Sequence, residues 1–407
     1  MIKNIIFDIG NVLAHFRWKD YLNQHFKEEA REKIADATVK GPYWDEVDRG
    51  VLPIAEIAKM CGALAPGFEK EIEKFFADRE QLVEEYDYSA ALIRSLKAAG
   101  YHVYLLSNYA GDVFDYARKH FKFIPLADGG VISYEIHKVK PESEIYEELL
   151  CRYQLVPQEC VFLDDLERNL AAAEKFGMRT VLFTGLSDAL KKLEEIGVTP
   201  IKAMIFDVDG TLWDTTAAAA KIWGDVAAKY PEIKDTVTAE KLKNLYGLPL
   251  EEIAKKLFVS VPEELAIRVM EECVKVQCPV LAKGAASLIG DVAGAFLKLR
   301  EKYRIFIVSN CRSGYIEAML EAHHLKELVD DFTCPGDTGL LKADNIKLIC
   351  ERNHLPISKV IYVGDTRPDE VAAHSVGVPF VFAEYGFGSC ENPEYRIGNI
   401  MELADMF

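Results

Sequence analysis

No two cysteines in this sequence have CxxC spacing, and the nine present, at 61, 151, 160, 273, 278, 311, 334, 350 and 390, are an odd number. That argues against a zinc ribbon or a disulfide scaffold and leaves reduced thiols, as in a cytoplasmic protein. No apolar stretch approaches the ~18–20 residues that cross a bilayer. The chain enters a strand-like run by Ile5 with no apolar signal segment ahead of it. A cytoplasmic location with no membrane partner is therefore expected. Positive charge is scarce: 48 Lys and Arg stand against 65 Asp and Glu, a formal net charge of -17. Without a basic stripe, nucleic acid is not an expected partner, although a small anion in a local site is compatible with the balance.

What is present is ordinary for a globular chain: half the residues are hydrophobic and 28% are charged. At 407 residues, two or three domains are expected, each able to bury a core. An internal repeat decides between these counts. IIFDIGNVLAHF from Ile5 and MIFDVDGTLWDTT from Met204 are near copies, with Asp8 and Asp207 lying 199 residues apart. LLSN ending at Asn108 matches IVSN ending at Asn310, Lys140 matches Lys342, and VFLDD at Asp165 matches IYVGD at Asp365. Ser107 to Lys140 spans 33 residues, and so does Ser309 to Lys342. Chance matches do not keep their spacing, so the chain reads as a tandem duplication with halves 1–199 and 200–407, meeting near EEIGVTP (194–200).

In each half, short apolar runs alternate with helical stretches. The runs at 102–106, 160–163, 304–308 and 360–363 suit strands buried on both faces of a parallel sheet. The segment 90–100 has helical apolar spacing and stops at Gly100. This pattern predicts two α/β cores of doubly wound parallel sheet. Residues 17–86 and 217–284 differ, being rich in Glu, Lys, Ala and Leu at helical spacing, and each is expected to be a helical cap inserted after the first strand. In doubly wound sheets ligands bind at the carboxyl ends of strands, where the repeated Asp and Ser residues fall.

Taken singly, these residues have ordinary explanations. Asp209 would be a turn residue before Gly210, Ser309 a helix cap, Lys342 a solvated lysine and Asp365 the start of a loop. An ordered set that recurs outweighs them. The second half resembles the haloacid dehalogenase superfamily of phosphohydrolases over residues 200–390, through FDVDGT (206–211), SN (309–310), Lys342 and GDTRPD (364–369). Its branch is similar to the phosphoglycolate-phosphatase type with a helical cap. The resemblance implies a hydrolase of small phosphorylated metabolites that uses Mg²⁺. It makes Asp207 the nucleophile that forms an aspartyl-phosphate and Asp209 the general acid and base. Ser309, Asn310 and Lys342 become phosphate ligands. Asp207, the Asp209 carbonyl and Asp365 become Mg²⁺ ligands, with Asp369 as a further carboxylate.

The first half resembles the same superfamily with one departure. Its first motif reads FDIGNV, so Gly10 stands where the acid/base aspartate belongs. Asp8 keeps the nucleophile position, and Ser107, Asn108 and Lys140 keep the phosphate positions. Asp164, Asp165 and Asn169 follow the last motif. Mg²⁺ held by Asp8, Asp165 and the Gly10 carbonyl would survive the loss. The expectation is a degenerate or weakly active copy, or a module that binds phosphate or a partner without catalysis. His15, seven residues after Asp8, is a conceivable substitute acid, more simply read as a surface residue. A sugar-phosphate mutase is a further alternative, and the pair Asp207/Asp209 disfavours dehalogenation. The tryptophans 18, 44, 213 and 223 are expected in cap cores, and Tyr385–Gly388 beside a cleft.

Overall fold

The computed structural model describes residues 1–407, and the chain divides into two compact units, Met1–Pro200 and Ile201–Phe407. In the first, five parallel strands lie in the order Gly129–Ile132, His102–Ser107, Asn4–Phe7, Cys160–Asp164 and Arg179–Leu182. Numbered along the chain this is 3-2-1-4-5, a doubly wound arrangement. Alternation along the strands feeds two cores. Ile5, Phe7, Val103, Leu105, Val161 and Leu163 join one cluster, while Ile6, Tyr104, Leu106 and Phe162 join the other. Both faces are therefore covered, which is why the runs are continuously apolar rather than alternating with polar residues. The helix expected at 90–100 runs Ser89–Ala98, with Leu92, Ile93 and Leu96 inward, and the chain turns at Gly100 with φ +87°.

The cap of this unit contains the helices Trp18–His25, Glu28–Ala37, Trp44–Arg49, Ile54–Leu64 and Glu69–Ala77. A short antiparallel pair, Ala14–Phe16 with Val83–Glu85, forms its neck. Two strand ends and the residue after a third meet beneath it: Asp8 after Asn4–Phe7, Ser107 and Asp164.

The second unit repeats the plan with one more strand. Its parallel order is Asp331–Thr333, Arg304–Val308, Ala203–Phe206, Val360–Gly364, Phe380–Ala383 and Tyr395–Ile397. The cap carries Thr216–Ala227, Ala239–Lys243, Leu250–Leu257 and Glu263–Leu281, and its neck pairs Trp213–Asp214 with Ser287–Leu288. Trp223 and Cys273 pack in the cap core, and Trp213 is fully buried. All nine cysteines are free. No helix is long and apolar enough to cross a membrane.

Candidate active site

In the second half the central strand ends at Phe206 and delivers Asp207, buried to 1% exposure, to the sheet's carboxyl edge. Lys342 enters from the first turn of helix Lys342–Arg352, its Nζ 2.8 Å from Asp207 Oδ1 and 2.5 Å from Asp369 Oδ1. Asp369 is fixed by its own helix start, accepting from Thr366 N at 3.1 Å and Thr366 Oγ1 at 2.6 Å in a capping box. Asp365 accepts from Phe387 N at 2.8 Å and Thr211 Oγ1 at 3.1 Å. The segment Tyr385–Gly388 thus closes on a carboxylate, with Tyr385 Oη donating to the Thr211 carbonyl at 3.0 Å.

Asp207, Asp365 and Asp369 bring carboxylate oxygens within 4.8 Å of one another. One lysine cannot neutralise three buried carboxylates, and the protonation equilibria reflect this. Burial pushes Asp207 up to about 6, with Lys342 opposing and Asp369 adding to the shift. Asp365 is raised well above the ordinary carboxylate range by burial and then by Asp369 and Asp207. Lys342 is raised as well: burial disfavours its charge, but Asp207 and Asp369 overcome that.

Asp209 is half-buried beside Asp207. It accepts from Tyr315 Oη at 2.6 Å and Thr215 Oγ1 at 3.3 Å. Burial pushes it up to about 7, Tyr315 holds it back, and the Asp207 charge adds to the rise. Ser309 is buried and hydrogen-bonded to Asp207. Asn310 turns away, donating to the cap carbonyl of Gly247 at 3.1 Å. Tyr246 reaches down from the cap to the Thr215 hydroxyl at 3.1 Å. These contacts leave a cavity of only about 40 Å³ at Asp209.

The first half builds its site differently. Asp8 Oδ1 receives Ile9 N at 2.7 Å, Ser107 Oγ at 2.6 Å and Lys140 Nζ at 2.9 Å. Lys140 Nζ also contacts Asp164 Oδ2 at 2.6 Å. The lysine's second partner is therefore Asp164, at the strand end, and Asn169 takes the helix position that Asp369 occupies in the other half. Asn108 pins the lysine's backbone, accepting from Lys140 N at 2.7 Å and donating to its carbonyl at 3.0 Å. Asp165 is half-exposed and accepts from Asn11 Nδ2 at 3.0 Å. Asp8, Asp164 and Asp165 also place oxygens within 4.8 Å of each other. Burial pushes Asp8 up to about 6 against the pull of Lys140.

The turn does not require glycine at position 10. The φ of Gly10 lies outside the left-handed region, which falls instead on Asn11 at +54°, and nothing lies within 4 Å of its virtual Cβ. In the second half the left-handed residue is Gly210, at +81°. His15 lies on the neck strand, stacked on Tyr86 with ring centroids 5.8 Å apart. Above Asp8 opens a cavity of about 270 Å³, so the half expected to be degenerate has the roomier site. Trp44 lines this cavity rather than standing only in a cap core. Sequence reading missed Tyr315, Thr215, Asp164 in its lysine-binding role and the cap residue Asp48. No spacing rule marks the first two, because Thr215 lies between the neck strand and the first cap helix and Tyr315 on a helix 106 residues after Asp209.

Two strand-end acid clusters, each with a buried lysine on a doubly wound core, define a class of hydrolase. Family models described as haloacid dehalogenase-like hydrolases match residues 2–177 and 204–383. The chain belongs to the haloacid dehalogenase-like hydrolases and carries the family unit twice. It is 29% identical over 199 residues to a D-ribitol-5-phosphate phosphatase of Bacteroides thetaiotaomicron, covering 44% of this chain and 91% of that one. A sesquiterpene phosphatase of Aspergillus oryzae is 27% identical, over 43% of this chain and 87% of that one. A phosphoglycolate phosphatase of Photobacterium profundum is 24% identical, over 51% and 95%. Among solved structures, a haloacid dehalogenase-like hydrolase from Streptococcus pneumoniae has a TM-score of 0.45 at 20% identity, covering 50% of this chain and 96% of that one.

Proposed function

We propose that this chain is a Mg²⁺-dependent phosphatase of small phosphorylated metabolites, acting mainly in its second half through an aspartyl-phosphate on Asp207. The observation that carries this reading is a pair of neighbouring carboxyls in unlike surroundings. Asp207 is paired with Lys342, which favours the anion needed for attack. Asp209 has hydroxyl partners in place of a lysine, Tyr315 and Thr215, and burial pushes it up to about 7 although Tyr315 holds it back. Environments that differ in this way divide the roles of nucleophile and acid.

In this mechanism Ser309 and Lys342 bind the phosphoryl oxygens and offset their charge. An Asp207 oxygen bonds to phosphorus as the bond from phosphorus to the leaving oxygen breaks. The Asp209 proton passes to that oxygen, a contribution of about 10²–10⁴-fold. The Asp209 carboxylate then takes a proton from water as the water oxygen attacks phosphorus. Asp207 and inorganic phosphate are released, and Asp209 is again protonated. Asp369, occupied by Lys342 and Thr366, orients the lysine.

The residues present fit Mg²⁺. The donor set is all oxygen, as Mg²⁺ prefers, and the raised equilibrium of Asp365 marks negative charge that one lysine leaves uncompensated. Asp207, Asp365 and the Asp209 carbonyl would hold it, with Asp8, Asp165 and the Gly10 carbonyl in the first half. When bound, the ion offsets charge on the phosphoryl oxygens.

The curated relatives named above are phosphatases, which supports phosphorylated metabolites as the substrate class. Ligand pockets commonly enclose about 300–1,000 Å³. Substrate entry to the second site therefore requires Tyr246 and its neighbours to withdraw from Asp209. On its core residues alone, the first half is a phosphate-binding module without the acid. The test uses the full chain carrying Asp8→Asn. Hydrolysis of p-nitrophenyl phosphate should require Mg²⁺ and vanish when Asp207→Asn is added. Undiminished turnover of the double variant, or of the single variant in EDTA, would overturn the mechanism.

A further inference from the structure

The first half has lost more than one carboxyl. In the second half the hydroxyls that hold Asp209 come from Thr215, six residues after it, and Tyr315, six residues after Ser309. The corresponding positions in the first half are Phe16, six after Gly10, and Val113, six after Ser107. Acid and holders have gone together, and both replacements line the cavity over Asp8.

Two acidic residues of the cap line that cavity, Asp45 and Asp48, and of these only Asp48 is buried. Asp48, on helix Trp44–Arg49, is only 9% exposed and lines the cavity with Asp8, Lys140 and Tyr109. Its position is fixed by the core rather than by the cap alone. Ser133 Oγ donates to the Asp48 carbonyl at 2.6 Å while accepting from Tyr109 N at 2.9 Å. The next residue, Arg49, pairs with Glu142 at 2.8 Å and donates to the His137 carbonyl at 3.2 Å. These anchors flank Lys140 in sequence, so the helix carrying Asp48 is tied to the same loop that delivers the lysine. Tyr109 Oη is buried with no hydrogen-bond partner. Its ionisation is pushed up by burial and then by Asp48 and Asp8, so it lies near both.

We propose that Asp48 is the proton donor and acceptor of a second hydrolytic centre in the first half, serving Asp8 as Asp209 serves Asp207. This rests on the phosphatase reading above and adds a working site to it. All three hydrogen-bonding contacts to the Asp8 carboxylate fall on Oδ1, leaving Oδ2 for attack. Oδ2 bonds to phosphorus, the bond to the leaving oxygen breaks, and the Asp48 proton goes to that oxygen, releasing an alcohol. The Asp48 carboxylate then takes a proton from water as the water oxygen attacks phosphorus. The bond to Asp8 breaks, inorganic phosphate leaves, and Asp48 is protonated again. An acid on the cap suits an in-line displacement, because Asp8 attacks from the core and the leaving group departs toward the cap. Burial, then Asp45 on the same helix and Asp8 below, push Asp48 up to about 8 against the pull of Lys140. The carboxyl therefore carries a proton at neutral pH. The substrate class is a phosphate monoester with a partly apolar alcohol, since Phe16, Trp44 and Val47 form the walls around the acid.

The experiment uses the full chain carrying Asp207→Asn, which silences the second half, with Mg²⁺ and two esters: p-nitrophenyl phosphate and propyl phosphate. Measurable turnover is expected. Adding Asp48→Asn should cut propyl phosphate turnover by about 10²–10⁴-fold and cut p-nitrophenyl phosphate turnover at least tenfold less, because a good leaving group needs little protonation. Equal losses on both esters would make Asp48 a merely structural residue and overturn the proposal. So would the absence of any turnover in the Asp207→Asn chain while the unsubstituted chain is active. If the unsubstituted chain hydrolyses neither ester, the phosphatase reading itself fails. A second measurement needs no change at position 48. In the Asp207→Asn chain, propyl phosphate turnover should fall above about pH 8 while p-nitrophenyl phosphate turnover does not; a shared profile overturns the proposal.

Discussion

Asn169 donates its side-chain amide to both carboxylate oxygens of Asp164 at 3.0 Å, and this pair is the reverse of Gly364 and Asp369 in the second half. Each buried lysine needs a second carboxylate besides the nucleophile. One half supplies it from the strand end and the other from the helix four or five residues on. In the second half the strand-end position has no room for a side chain, since a Cβ on Gly364 would stand 2.7 Å from the Asp369 Cβ.

Asn169→Asp should destabilise the first half, because a carboxylate of the same size replaces the two donations to Asp164 with like-charge repulsion. Adding Asp164→Gly should recover part of the loss, with a coupling of about 0.5–3 kcal/mol between the sites. Lys342→Met should cost about 3–5 kcal/mol, since it leaves Asp207 and Asp369 buried without their cation. Urea denaturation of the full chain, following each transition, checks all three. Additive effects of the first two changes would refute direct repulsion between the two carboxylates.

The two motif turns should respond oppositely to a side chain. A Cβ at Gly10 would meet no atom within 4 Å and no left-handed φ, so Gly10→Asp should leave stability within about 0.5 kcal/mol. Gly210→Ala would place its Cβ about on top of Asp365 Oδ2, at φ +81°, and should lower both stability and second-half turnover. Melting curves and p-nitrophenyl phosphate assays in the Asp8→Asn background decide this.

Asp209→Asn, in the same background, should slow alkyl phosphates by about 10²–10⁴-fold and p-nitrophenyl phosphate less. The sign of its pH effect follows from a carboxyl pushed up to about 7. The acid form is present below that value and lost above it, so alkyl phosphate turnover should decline as pH rises past about 7. A decline that persists in the variant would assign the limb to another group.

Mg²⁺ should raise the melting temperature, and more at pH 8 than at pH 5. Asp365 is raised well above the usual range, so its proton competes with the ion at the lower pH. For the ion-free chain the sign is the opposite. A folded-state value above the unfolded one stabilises at low pH, and that stability is lost as pH rises from about 4 through the raised value. Asp365→Asn should reduce both dependences. Melting curves with and without the ion, at the two pH values, provide the measurement.

Much of this protein was determined by sequence alone. Local signals along the chain carried the repeat, the continuously apolar strands that two-sided burial demands, the helix ending before Gly100, and the aspartates and serines at strand ends. These are properties of short segments, and a segment keeps them wherever it packs. The Gly10 departure was equally legible, because it replaces one residue inside a short motif. What it means for the site was not. The conformation of that turn, with the left-handed residue at Asn11 rather than Gly10, depends on backbone geometry that residue names do not carry. Only the tertiary structure decided that Tyr315 and Thr215 hold Asp209, that Asp164 replaces Asp369 as partner of the lysine, and that Asp48 lines the cavity over Asp8. Apart from the Thr215 contact, these join residues far apart in the chain, and burial raises a carboxyl only after the surrounding elements have removed its water. The chemistry of a carboxylate is set by the charges and apolar walls around it, and those are assembled by packing rather than written at its own position.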